Sequence, residues 1–286
     1  MDQEIPDISV VFAATVLVVV LVSLLVGSRG GRYRAVRGWG IYWIFIAAFL
    51  VVIERAPLWI SLLLLGIVMF GSIREYSFLA PLRRQDRWAT LLVYLSIPAI
   101  LYAVFIDSYV GFLAAILLYL FLFLPGILSL GTTQQGLLDS LGRVLLGVLI
   151  FVFCGAHLGF LVHEPTGSLE WFGILVIATD LPQREAGRLR TENGVLRSIA
   201  GAVLGFAFAA GFGAWLAPAF GYSVVRGAVG GAVVAFAVTI GGIVTRGVAR
   251  DLSMPPVGRA AFLDRVTPMV YAAPLFYHFL DYYASG

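Results

Sequence analysis

Lysine is absent from this 286-residue chain, and cysteine occurs once. A single thiol, Cys154, excludes an intrachain disulfide framework. It stands inside an apolar run, where cysteine packs as a small hydrophobe. Three scattered histidines and that one cysteine give no zinc-ligand spacing. Every basic side chain is arginine, so any phosphate-binding role that a lysine ammonium would fill falls to a planar guanidinium or is missing. Charge as a whole is scarce: 12% of residues, against about a quarter in a soluble domain. The polar–apolar alternation of a transmembrane β-barrel is missing as well. So are long linkers, low-complexity tracts and internal repeats.

What is present is apolar length. Hydrophobic residues make up 60% of the chain. They gather into ten segments, at 8–27, 39–53, 57–73, 89–106, 109–128, 142–163, 171–179, 199–219, 224–244 and 268–280. A helix of about 20 apolar residues spans a hydrocarbon core. The pattern predicts an all-α, polytopic transmembrane helix bundle of about nine to ten membrane helices, forming a single domain over 1–286. Residues 1–128 are its plainer N-terminal helices and 142–286 the half expected to carry chemistry. The second and third segments are separated by little more than Glu54-Arg55-Ala56. The seventh is short unless residues before Trp171 join it, and the tenth is short and contains Pro274. The first run, Ile8 to Gly27, is too long for a signal-peptide core and follows an acidic DQEIPD, so it is expected to stay as a helix.

The arginines are unevenly placed. Threading ten helices puts 17 of the 19 on one side, leaving Arg55 and Arg226 on the other. The positive-inside rule makes the rich side cytoplasmic, with both termini outside, as in a bacterial inner membrane. The longest polar segments, Leu181 to Arg197 and Arg246 to Thr267, fall on that side, where a soluble, charged substrate arrives. The cluster RGGRYRAVR (Arg29 to Arg37) suits anionic membrane lipids. Nothing calls for nucleic acid. Segments 199–219 and 224–244 are crowded with glycine and alanine, which lets helices approach closely and is compatible with a homodimer.

Three aspartates end apolar stretches at the arginine-rich side: Asp180, Asp251 and Asp264. Charge at a membrane edge is costly unless solvated, paired or metal-bound. One reading is capping or ion pairing with Arg184, Arg250 and Arg265. The other is a Mg²⁺ site, in which carboxylates hold the ion against phosphate oxygens and arginines clamp the phosphates. Elsewhere, Glu54-Arg55 reads as an interfacial ion pair, and His157, His163 and His278 as structural or packed. No charge lies well inside an apolar segment, which argues against an ion transporter.

The stretch RDLSMPPVGRAAFLDRVTP (Arg250 to Pro268) resembles the signature of the phosphatidate cytidylyltransferases, the CDP-diacylglycerol synthases, which ends roughly K-D-x-[GSA]-x-x-[LIF]-[PGS]-x-H-G-G-[LIVMF]-x-D-R-x-D. Arg250-Asp251 stands at its Lys-Asp, Ser253 fits two places later, and Phe262 to Val266 fall in register. Asp180 with Gly187-Arg188 is similar to an upstream segment of the family, as is Arg74-Glu75-Tyr76. There are departures. Arg259, Ala260 and Ala261 replace His-Gly-Gly, Thr267 replaces the final aspartate, and SIAGAVLG (Ser198 to Gly205) lacks the lysine, threonine and glutamate of another motif.

The resemblance implies transfer of CMP from CTP to phosphatidate or a related lipid phosphate, with release of pyrophosphate. It implies Mg²⁺ on Asp251 and Asp264 with Asp180 nearby. Arg265 would join Asp251 and Asp264 in catalysis, and Arg250, Arg259, Ser253, Thr267 and Arg188 would face phosphates. The departures leave a second reading, a catalytically impaired homologue that binds lipid or a partner protein.

Overall fold

The ten apolar segments become ten helical rods in the computed structural model, which describes residues 7–27, 34–83, 86–130, 135–186, 194–251 and 263–284. No strand occurs among the described residues. The rods are α1 (Ile8–Gly27), α2 (Arg34–Arg55), α3 (Leu58–Leu79) and α4 (Arg87–Phe105). Next comes α5, running Tyr109–Leu118, through a π turn Tyr119–Phe123, to Leu124–Ser129. Then α6 runs Leu137–Gly147, through a second π turn Val148–Cys154, to Gly155–Phe160. The last four are α7 (Ser168–Ala186), α8 (Gly194–Leu216), α9 (Val224–Asp251) and α10 (Leu263–Ala284). Among the described residues, six helical stretches are long and apolar enough to cross a membrane: Ile8–Leu25, Leu58–Leu79, Arg87–Phe105, Leu137–Phe160, Ser198–Phe220 and Val224–Val248. The chain is an integral membrane protein with an all-α, polytopic bundle, as expected.

The helices gather into two compact units, 1–56 with 164–236 and 57–163 with 237–286. Each unit draws helices from both 1–128 and 142–286, and α9 gives its first half to one unit and its second half to the other.

In the first unit the organising element is α7. Every residue from Ser168 to Asp180 is buried. A helix buried on all sides belongs at the centre of a bundle. This extends the short seventh segment at both ends: Ser168, Leu169 and Glu170 join before it, and Asp180 to Ala186 after it. Gly173 lets α1 and α2 close onto α7: a Cβ there would lie 2.9 Å from both Phe12 and Leu50. On the other side Gly205 of α8 packs on the Thr179 carbonyl, 3.0 Å from where its Cβ would be. The small residues of α8 and α9 bring backbone against backbone. A Cβ on Gly213 would strike the Gly227 carbonyl, and one on Gly231 the Ala209 carbonyl.

In the second unit α6 turns its glycines toward α3. Gly147 makes room for the Tyr76 ring, 2.7 Å from a would-be Cβ, and Gly155 meets Met69. One turn on, Gly159 receives Leu62, Leu65 and Val104. The Tyr76 hydroxyl donates to the Arg143 carbonyl at 2.9 Å. The second half of α9 packs on α10 where Gly241 faces Tyr271, 2.7 Å from a would-be Cβ.

Candidate functional site

In the second unit, the polar segment at 252–262 is bracketed by two helix ends. Asp251 is the last residue of α9, exposed, with Arg250 exposed beside it. From the Gly241 contact to Asp251 the helix advances about 15 Å, at about 1.5 Å per residue. Asp264 and Arg265 open α10, in second and third place. Arg265 is half-buried, and Leu263, Val266 and Thr267 are buried. The Thr267 hydroxyl donates to the Leu263 carbonyl at 2.6 Å. Pro268 has no amide hydrogen to offer the Asp264 carbonyl, so the first turn of α10 departs from the regular ladder. Ser253 and Arg259 lie outside the described residues, as does Arg188.

Asp180 belongs to the first unit. It is buried near the end of α7, and its carboxylate accepts a hydrogen bond from Arg184 Nε at 2.7 Å, one turn on. This is the pairing with Arg184 that the sequence offers as the alternative to a Mg²⁺ site. Among the described residues, no three or more His, Cys, Asp or Glu side chains are grouped to hold a metal ion.

Other polar clusters mark the helix ends. At the arginine-rich end of the second unit, Arg83 grips the buried Asp86 and also donates to the Gln135 carbonyl. Arg143 donates to the Pro81 carbonyl at 3.0 Å and pairs with Asp139 at 3.0 Å. Burial opposes ionisation of Asp86, but hydrogen bonds from Arg83 and Ser140 and the Arg83 charge outweigh it, holding the carboxyl below its ordinary value. Tyr76, Ser77, Thr90 and Arg143 line a cavity of about 20 Å³ there, room for about one water. Tyr76 thus ties α3 to α6.

At the arginine-poor end of the first unit, Arg55 is drawn to the fully buried Glu170 at 3.5 Å, and Ser9 donates to the same carboxylate at 2.8 Å. Glu54 instead accepts from the amides of Gly167 at 2.6 Å and Leu169 at 3.3 Å. It therefore caps the start of α7, where four amides lack intrahelical partners. The sequence reading of Glu54-Arg55 as a mutual ion pair is corrected: the two neighbours serve different partners.

The arginine-poor end of the second unit holds a cluster that the sequence reading missed. His157 is fully buried; its Nδ1 lies 2.9 Å from the Phe153 carbonyl and its Nε2 3.2 Å from the Tyr109 hydroxyl. The same hydroxyl lies 2.7 Å from Nε2 of the exposed His278. Phe112, Phe153, Phe160 and Tyr277 surround these rings. The available signal was position: all three residues stand toward the arginine-poor ends of apolar segments five, six and ten.

Comparison with known proteins gives one relative of note. The chain is 24% identical over 285 residues to the uncharacterized protein YnbB of Escherichia coli (strain K12), with 89% of each chain covered. No protein-family model and no solved structure matches it.

Proposed function

We propose that the chain is a divergent membrane cytidylyltransferase that moves CMP from CTP onto phosphatidate or a related lipid phosphate and releases pyrophosphate. The reading places the chain in a bacterial inner membrane with the site facing the cytoplasm. The observation that carries it is the register of Arg250-Asp251 with Asp264-Arg265: the residues that match the family signature stand at the end of one helix and the start of the next, one pair on each side of a polar segment. Phosphoryl and nucleotidyl transfer needs little covalent help from protein. It needs positioning and neutralisation of phosphate charge. Asp251 and Asp264 would hold Mg²⁺. Arg250, Arg259, Arg265 and Arg188 would offer forked donors to phosphate oxygens, and Ser253 a hydroxyl.

Thr267 favours the second reading, an impaired homologue acting through lipid or partner binding. It stands at the position of the last signature aspartate, brings no charge, and gives its proton to Leu263. One assay separates the two. The full chain in lipid nanodiscs is supplied with CTP, Mg²⁺ and a panel of lipid phosphates, and pyrophosphate is measured for wild type and Asp251→Ala. Release that needs lipid and metal and falls at least a hundredfold in the variant supports the enzyme. No turnover with any lipid phosphate, together with no CTP binding, sinks it in favour of the second reading.

A further inference from the structure

The Tyr109, His157 and His278 cluster points to a second site, independent of the reading above and at the opposite end of the helices. A carbonyl oxygen only accepts, so the contact with Phe153 places a hydrogen on Nδ1 of His157. Its Nε2 then carries the lone pair in the neutral ring. The Tyr109 hydroxyl has one hydrogen to give and donates it to that nitrogen, while its oxygen accepts from Nε2 of His278. The network is complete in this form, and its atoms are also those of a metal site.

Donor atoms from three helices, α5, α6 and α10, come together around the Tyr109 hydroxyl. The oxygen-to-nitrogen separations of 2.7 and 3.2 Å compare with roughly 3.3 Å between ligand atoms on a tetrahedral ion with bonds of about 2.0 Å. A histidine that ligates metal through one nitrogen ordinarily donates its other N–H to a carbonyl or carboxylate, which fixes its tautomer. His157 is held in that way. His278 is exposed on the surface of the helices, so the cluster is open to the outside of the bundle. Asp281, one turn further along α10, is close enough to act electrostatically on the Tyr109 phenol and adds negative charge.

We propose that His157, His278 and Tyr109 bind a divalent transition-metal ion of the imidazole-preferring class, such as Zn²⁺, Cu²⁺ or Ni²⁺, with a fourth position open. On binding, His278 carries its proton on Nδ1 instead of Nε2, and Tyr109 coordinates as the phenolate, releasing its hydroxyl proton to solvent. The third donor is a phenol, so the set differs from a cluster built of His, Cys, Asp and Glu alone. Hard Mg²⁺, which takes oxygen ligands, is not expected here.

The test uses tag-free full-length protein in nanodiscs, titrated with Co²⁺ and read by its visible ligand-field bands, with metal content measured after Zn²⁺ loading and dialysis. One ion per chain is expected. His278→Ala, an exposed position, should weaken binding at least about tenfold, and Tyr109→Phe should change the bands. Asp251→Ala should keep the His278-dependent bands, which separates this ion from any held at the arginine-rich end. Melting curves of the metal-free variants show that each is folded. The proposal is overturned by absence of saturable one-to-one binding, by wild-type binding in His278→Ala, or by loss of binding in Asp251→Ala.

Discussion

The hydroxyl of Thr267 donates to the carbonyl of Leu263, one turn back in α10, at 2.6 Å. The bond is local, and both residues are buried. Even side-chain hydrogen bonds between membrane helices average only about 0.6 kcal/mol. Thr267→Val should therefore cost less than about 1 kcal/mol in detergent unfolding. Thr267→Asp should separate the two functional readings. Placed beside a working metal site, the carboxylate raises Mg²⁺ affinity. Placed in an idle one, it lowers the melting temperature, and Mg²⁺ does not restore it.

Glu54 caps α7 from another helix, with one carboxylate oxygen serving two amides. Glu54→Ala leaves those amides without the acceptor and should cost about 1–2 kcal/mol, as loss of a helix cap does. Glu54→Gln keeps an oxygen in place and removes repulsion from Glu170, so it should lose less than half as much. Chemical unfolding of the two variants side by side checks the order.

Glycines in α8 and α9 divide into two kinds. A Cβ on Gly227 or Gly231 meets backbone atoms that cannot step aside, whereas one on Gly211 or Gly247 meets open space. Gly227→Ala and Gly231→Ala should each destabilise by about 1–3 kcal/mol, the range for overpacking. Gly211→Ala and Gly247→Ala should be neutral or gain up to about 1 kcal/mol in helix propensity. Thermal melting distinguishes the pairs.

Asp86 titrates below its ordinary value of 3.8 because Arg83 and Ser140 outweigh its burial. A depressed carboxyl contributes stability that is complete above the unfolded value and lost as pH falls through the folded one. Melting temperature should therefore fall below about pH 4, and Asp86→Asn should flatten part of that acid limb. A variant with an unchanged acid limb would remove Asp86 from the account.

Most of the fold was legible because membrane crossing imposes a length. Runs such as Ile8–Gly27 and Val224–Asp251 announce themselves through uninterrupted apolar residues. The seventh helix was only half legible. Ser168, Glu170 and Asp180 look like loop chemistry in one dimension, yet each is buried and hydrogen-bonded in three. Partner choice was not legible either. Adjacency suggested Glu54 with Arg55, while the folded chain gives Arg55 to Glu170 at a separation of 115 residues. The Tyr109 cluster escaped notice because its members come from three distant segments and share no motif. Of the proposed cytidylyltransferase site, sequence register supplied the residues, and the helix ends at Asp251 and Leu263 supply its frame.

The burial of α7 from Ser168 to Asp180 bears on how the chain is made. A segment carrying Glu170, Thr179 and Asp180 has little reason to partition into lipid by itself. Its neighbours α1 and α2 leave the ribosome first, and the contacts that tie them to it, Ser9 with Glu170 and Glu54 with Gly167, close loops of 161 and 113 residues. The first two helices must therefore wait in the bilayer, incompletely covered, until the seventh arrives. During that interval, the nascent protein is most exposed to quality-control proteases and membrane chaperones.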